Sequence, residues 1–345
     1  MGFAGIRKHR RCDVKLIYKN GDDMFKKLTT VGALLLSATL GALPSMAQDY
    51  PKKQPIKVIV GASAGGLTDV LARITAEFLQ KKMGQAVVVE NRPGAASAIA
   101  ADYTAKSAPD GYTIYLAGAE MTVIPALRSN LPYKFEDFTY LTKFWTTIPM
   151  MVVGPNSTFK TPKDLIAYMK ANPGKLRYGT PGVGSLNHVG TAMFEASIGA
   201  KGVHIPYPGI APIYTDLLAG NLDFAMGATP PFSDAIKVLG PSGSRRHTSY
   251  PDLPTLAEQG YQNASHDAWF AFVAPPNLPK PIADRLIADL NAVFKDPEAI
   301  AKYKSATKDV PDASPLVGDD FKKFALEQYK NWKAVADREK IVVQQ

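Results

Sequence analysis

One cysteine, Cys12, is all that a chain of 345 residues holds. No intrachain disulfide can form, so a hydrophobic core must carry the stability. After residue 47 no apolar run approaches the ~20 residues that cross a bilayer, which predicts a soluble product. The net charge of +9 is concentrated at the start: residues 1–47 carry eight Lys/Arg against three Asp/Glu, leaving +4 for the rest. No stripe of Lys and Arg interleaved with aromatics follows, which excludes a nucleic-acid partner. The later histidines, His188, His204, His247 and His266, lack the spacing of metal ligands and have no thiol beside them. Neither a metal nor a cofactor is expected.

What is present begins with a leader. Met24-Phe25-Lys26-Lys27 precedes an apolar run from Leu28 to Leu43, with small residues at Ser45 and Ala47. This predicts a secretory signal over 24–47, cleaved after Ala47. Residues 1–23 are polar and basic and fit no signal, so translation is expected to start at Met24.

The exported chain alternates strand and helix. Ile56–Val60 reads as a strand, and Leu67–Met83 as a helix with one apolar face, stopped by Gly84. A strand over Ala86–Val89, a small-residue helix from Ala95 to Lys106 and a strand over Tyr112–Leu116 follow. Short apolar strands between helices predict an α/β fold with a parallel sheet covered on both faces. A second unit starts near Met150, with strands at 150–153, 176–178, 203–205 and 222–226 and helices at 162–171, 186–197 and 211–218. Ala268–Ala274 and three helices (281–294, 297–305, 318–340) then return toward the first unit. The expected domains are 48–149 plus 268–345 for lobe 1 and 150–267 for lobe 2.

The order strand, Gly-rich turn, helix occurs at both 56–83 and 176–197. The first turn, Gly61-Ala62-Ser63-Ala64-Gly65, fits the G-x-S-x-G elbow of a serine hydrolase. That reading lacks an upstream strand to complete an oxyanion hole. A phosphate loop lacks its lysine, because Leu67 stands there, and the dinucleotide spacing is absent. An anion cradle survives: the free N–H groups and positive dipole of a helix N-terminus attract a carboxylate, and Ser63 and Thr68 add hydroxyls. Thr180, Gly184 and Ser185 repeat the arrangement. Plain capping without a ligand is the structural alternative for both turns.

Several runs resemble the Bug family of periplasmic solute-binding proteins, the receptors associated with tripartite tricarboxylate transporters. They include Gly65-Gly66-Leu67-Thr68-Asp69, Glu90-Asn91-Arg92-Pro93-Gly94, Pro109-Asp110-Gly111-Tyr112-Thr113, His204-Ile205-Pro206-Tyr207 and Asp216-Leu217-Leu218-Ala219-Gly220. The resemblance implies a two-lobed periplasmic-binding-protein-like fold with a hinge between two α/β domains. It implies a monomer, not an enzyme, that captures a small carboxylated solute by hinge closure. The solute would pass to membrane permease components of a tripartite transporter or to a sensor. Carried over, the ligand contacts are Ala62, Ser63, Gly65, Gly66, Thr68 and Asp69 in the first lobe, with Gly118 and Ala119 after the third strand. Those of the second lobe are Thr180, Gly184, Ser185 and His188, then Tyr207, Gly209 and Ala211. A secreted serine hydrolase using Ser63 and a degenerate non-binding paralogue are the alternatives.

The chain departs from the family pattern at three places. Pro208 stands where family members often carry a lysine after the tyrosine of the Pro-Tyr motif. Gly118-Ala119-Glu120-Met121 puts a carboxylate where relatives carry small hydroxyl residues. Facing the cleft, Glu120 would repel a diacid and favour an amide, an amino-bearing ligand or a neutral one; facing outward, it would do neither. Ile236–Arg246 is about five residues short, ~16 Å of strand reach, which predicts less complete closure or weaker binding.

Overall fold

The computed structural model describes residues 50–228, 233–261 and 266–339. The expected extension 1–23 and signal 24–47, with Cys12, lie outside the described residues. The opening strand and helix form at the residues expected. Ile56–Val60 is β1, buried at four of its five residues. Leu67–Met83 is α1, with Leu67, Leu71, Ile74, Phe78 and Leu79 on its buried face. Gly84 stops it in the left-handed region (φ 64°), its N–H bonding the Gln80 carbonyl. Val87–Asn91 (β2) and Thr113–Gly118 (β3) flank β1 in parallel, with Val58 opposite both Val89 and Ile114.

The sheet is mixed rather than parallel throughout. Its order is β11-β4-β10-β3-β1-β2, with Ala268–Ala274 as β10, Thr139–Thr147 as β4 and Leu316–Val317 as β11. β10 runs antiparallel to β3 and β4 antiparallel to β10, which corrects the expected all-parallel sheet. Helical crossovers enforce parallel strands only where helix follows strand within one unit. β10 re-enters from the other half of the chain and is free to run the opposite way. β4 was not foreseen because Thr139, Thr142, Lys143, Thr146 and Thr147 interrupt its apolar pattern. The buried charge is met from far along the chain: the Lys143 ammonium donates to Asp312 and to nearby Thr146, each at 2.6 Å. Between them, Phe144 stacks on Phe294 at 4.0 Å and on Phe272 at 5.5 Å, and Trp145 meets Tyr303 at 5.5 Å. These rings tie Lys280–Lys295 and Pro297–Thr307 to one face of the sheet. Each such pair adds ~0.5–1.5 kcal/mol beyond buried area. Gly318–Glu339 covers the other face through Phe321, Ala325 and Trp332.

The second half of the fold has smaller sheets. Met150–Val153 (β5) lies between Ala225–Ala228 (β8) and Lys237–Pro241 (β9), both antiparallel to it. Arg177–Thr180 (β6) pairs in parallel with Val203–Pro206 (β7), and a bridge from Tyr178 to Phe224 links the two sheets. The strand expected over 222–226 therefore starts three residues later. In order along the chain, the next helices after α1 are Ala98–Ala105 (α2), Glu120–Leu127 (α3), Pro162–Ala171 (α4), Leu186–Ile198 (α5) and Ile210–Ala219 (α6). Thr161 and Asp164 form a capping box that starts α4 with Pro162 at its first position.

The short 236–246 segment still makes a five-residue strand, β9, and leads directly into the passage back to the large sheet. Ser242 donates to the Pro149 carbonyl at 2.7 Å and accepts from His266 N–H at 3.0 Å. Asp267 accepts from the N–H and hydroxyl of Ser244. The outgoing and returning strands between the sheets thus lie side by side.

Candidate functional site

Four chain reversals meet at one cavity of about 70 Å³. The first is the turn after β1. Gly61 packs so tightly on Ser97 that a Cβ there would lie 2.5 Å from the Ser97 Cβ. Gly65 has φ +88°, where side chains are strained. Asp69, one turn into α1, holds this loop from inside. Its Oδ2 accepts from Gly65 N–H at 3.0 Å and from Arg73 Nε at 2.9 Å. Its Oδ1 accepts from Asn91, whose amide also bonds the Ala62 carbonyl. Burial pushes the Asp69 carboxyl up, but the hydrogen bonds from Arg73, Gly65 and Asn91 outweigh it and hold the group below its ordinary value.

The second reversal follows β6. Ser185 caps α5 by accepting from His188 N–H at 3.2 Å. The His188 ring turns back and its Nδ1 accepts from Gly184 N–H at 3.1 Å. Thr180 Oγ1 lies 2.6 Å from His204 Nε2. The two imidazoles stack at 4.2 Å with 16° between planes, and His204 stacks in turn on Tyr178. Burial lowers the His188 pKa, and burial with the neighbouring His188 lowers that of His204 to about 4. Both rings are neutral at pH 7, as an accepting Nδ1 requires.

The third is an arc that the sequence reading placed inside a helix. Ala95, Ala96 and Ser97 have φ of 47°, 51° and 73°, and α2 begins only at Ala98. Three consecutive left-handed residues with side chains cost of order 1–2 kcal/mol each. Such strain persists only where surrounding packing imposes it, and it gathers at ligand sites. Ala96 and Ser97 line the cavity, and Ala96 abuts Gly182 of the second turn. The fourth reversal precedes α6. Gly209 faces Ser63, where a Cβ would lie 2.3 Å from the Ser63 hydroxyl, and Gly66 faces Ile210. The two halves of the fold are in direct contact there.

Of the fifteen expected contacts, Ala62, Thr68, Gly118, Ala119, Ser185 and Gly209 form part of the cavity wall. Ser63, Gly65, Gly66 and Ala211 sit in the seam between the first turn and α6. Asp69, Thr180, Gly184 and His188 stand behind the wall as its supports. Tyr207 points away, its hydroxyl donating to Asp216 at 2.5 Å. Two N–H groups expected to face a ligand, those of Gly65 and Gly184, are taken by Asp69 and His188. Glu120, Asn187, Pro208, Trp269 and Phe270 also line it, with Ala96 and Ser97. Of these, Glu120 and Pro208 carried a sequence signal, each as a departure from the family pattern. Trp269 and Phe270 are brought in by the unforeseen pairing of β10 with β3.

The electrostatics come from backbone. Leu67, Glu120, Leu186 and Ile210, the first residues of α1, α3, α5 and α6, all line the cavity. Each helix brings about half a positive charge to its N-terminus. Among the described lining residues Glu120 is the only ionisable side chain. The Ser63 hydroxyl is buried and bonds to nothing among the described residues. Asp223 and His247, an acid and then a histidine in the chain order a hydrolase triad needs, are engaged elsewhere: Asp223 is held by Arg177, and His247 Nδ1 accepts from Ser249 N–H. Among the described residues no base bonds to Ser63, so the elbow reading has no support. No helix among the described residues is long and apolar enough to cross a membrane.

Mixed α/β halves around a cavity ringed by helix N-termini define a solute-binding protein of the periplasmic type. A model of the family described as "Tripartite tricarboxylate transporter family receptor" matches residues 71–341, and the chain belongs to that family. Protein BugT of Bordetella pertussis is 32% identical over 323 residues, covering 91% of this chain and 97% of its own. The solved structure of periplasmic binding protein BugD aligns with a TM-score of 0.80 at 27% identity, over 85% of this chain and 99% of that one. An R. palustris protein solved with adipate aligns with a TM-score of 0.78 at 26% identity, over 85% and 99%.

Proposed function

We propose that this protein is exported to the periplasm and there captures a small carboxylated solute between two lobes, 48–149 with 268–345 and 150–267. Hinging about the paired passages at Pro149 and Ser242 closes it. It acts as a monomer without catalysis and presents the solute to the permease components of a tripartite transporter or to a sensor. The carrying observation is the convergence of four helix N-termini on one cavity without a lysine, arginine or histidine in its described wall. A carboxylate is held there by oriented N–H dipoles and by the hydroxyls of Thr68 and Ser185. The adipate in the R. palustris relative supports the ligand class. Closure follows from differential affinity: a solute that touches both halves favours the state in which they meet.

A thermal-shift screen over mono- and dicarboxylates, amino acids and matched neutral amides tests this. A ligand at a hundred times its Kd stabilises by ~2.7 kcal/mol, and at least one carboxylate should raise the melting temperature accordingly. Stabilisation by neutral compounds alone would overturn the reading.

A further inference from the structure

The cavity has two electrical poles. Three helices, α1, α5 and α6, direct their N-terminal ends at it and put no charged side chain in the lining; the one acid in their first turns, Asp69 of α1, is paired with Arg73 behind the wall. The fourth, α3, begins with Glu120 itself, so that helix end is already answered by a carboxylate. Glu120 does not point outward. It lines the cavity, and its Oε2 occupies the space that a Cβ on Gly118 would fill, at 2.5 Å. The absent side chain at Gly118 is what lets the carboxyl fold in. Around it the wall is apolar or uncharged, with Leu116, Trp269 and Phe270 close in the lining.

From this geometry we infer, resting on the solute-binding reading above, that the ligand is a small zwitterion: a monocarboxylate whose carboxylate meets the α1, α5 and α6 ends while a protonated nitrogen faces Glu120. An unpaired carboxylate in such a wall is costly, and a partner cation removes the cost. Burial pushes the Glu120 carboxyl up when no cation is present, while its own backbone N–H favours the ionised form. A ligand ammonium supplies the missing charge. A second ligand carboxylate would instead lie against Glu120, a like-charge contact in a poorly hydrated space.

Isothermal titration at pH 7.5 with two matched pairs tests the inference: β-alanine against succinate, and 4-aminobutyrate against glutarate. Each pair keeps the methylene count and exchanges ammonium for carboxylate. The native protein should bind the amino acid of at least one pair about tenfold or more tightly than its diacid, the size of one charge-assisted contact. E120Q, which keeps shape and removes charge, should lose that preference and gain diacid affinity. Diacids binding more tightly than amino acids to the native protein would overturn the inference and leave carboxylate binding intact. An unchanged preference in a folded E120Q would do the same. Should E120Q fail to fold, the native ranking within the pairs still decides. If neither series nor any other carboxylate binds, the solute-binding reading falls with the inference.

Discussion

The two glycine-rich turns look alike in sequence and are held by opposite chemistry. The first, Gly61–Gly66, is latched by an anion: Asp69 takes the Gly65 N–H and is itself gripped by Arg73 and Asn91. The second, Gly179–Ser185, is latched by a neutral base: His188 takes the Gly184 N–H and rests on His204. In each case the donor that invites an anion is occupied by a residue four positions on. The turns therefore serve as scaffolds for the helix ends behind them, and the cavity wall is built largely from their neighbours. The lesson concerns spacing. A side chain in the first turn of a helix lies over the preceding loop, so an acceptor there closes the loop before any ligand arrives.

The strongest test of this contrast is to remove the first latch. Asp69→Ala leaves Gly65 N–H, Asn91 and Arg73 without their shared partner. The loss should be about 2 kcal/mol, within the range for hydrogen bonds to a charged group, read as a lower urea midpoint. Asp69→Asn, which keeps an acceptor oxygen, should recover part of it. An Asp69→Ala midpoint equal to the native one would show that the latch is decorative. His188→Ala should cost less, about 1–2 kcal/mol, because it removes one hydrogen bond and one stacked ring from a half-buried site.

Acid should separate the turns. Both histidines have lowered folded values, that of His204 near 4 against 6.5. Their contribution is complete above the unfolded value of 6.5 and is lost as pH falls toward about 4. Asp69 is also lowered, from 3.8, so its contribution persists until pH falls below that value. Urea midpoints should therefore decline between pH 6.5 and 4.5 in the native protein and less in His204→Gln. Amide resonances of Gly184 should move in that window while those of Gly65 stay. Simultaneous movement would dissolve the distinction. The smallest effect is expected at the arc between the turns: Ala96→Gly relieves a left-handed residue but adds backbone freedom to the unfolded chain, a net gain of about 0.5 kcal/mol, measured by thermal melting.

Much of the fold was legible where the signal is local. The borders of β1, α1, β5 and β10 follow from apolar pattern, and Gly84 and the Thr161–Asp164 box mark helix ends by backbone chemistry. β4 was hidden because a buried Lys143 reads as surface until Asp312, far along the chain, is placed beside it. The arc at Ala95–Ser97 was hidden because three small residues in a row favour a helix, and only packing against Gly61 and Gly182 makes the left-handed path the one that fits. Among the site residues, those on the turns were found and their roles were not. Trp269 and Phe270 reach the cavity through strand pairing that no local pattern specifies.

Taken alone, then, the sequence determined the strand–turn–helix units, the absence of disulfide support and the family to which the chain belongs. These depend on residues near one another and on short motifs kept in order. The direction of β10, the inward turn of Glu120 and the sharing of N–H groups were decided by the tertiary structure. Each depends on which distant group fills the space beside it, and a buried polar atom takes whichever partner packing brings within about 3 Å.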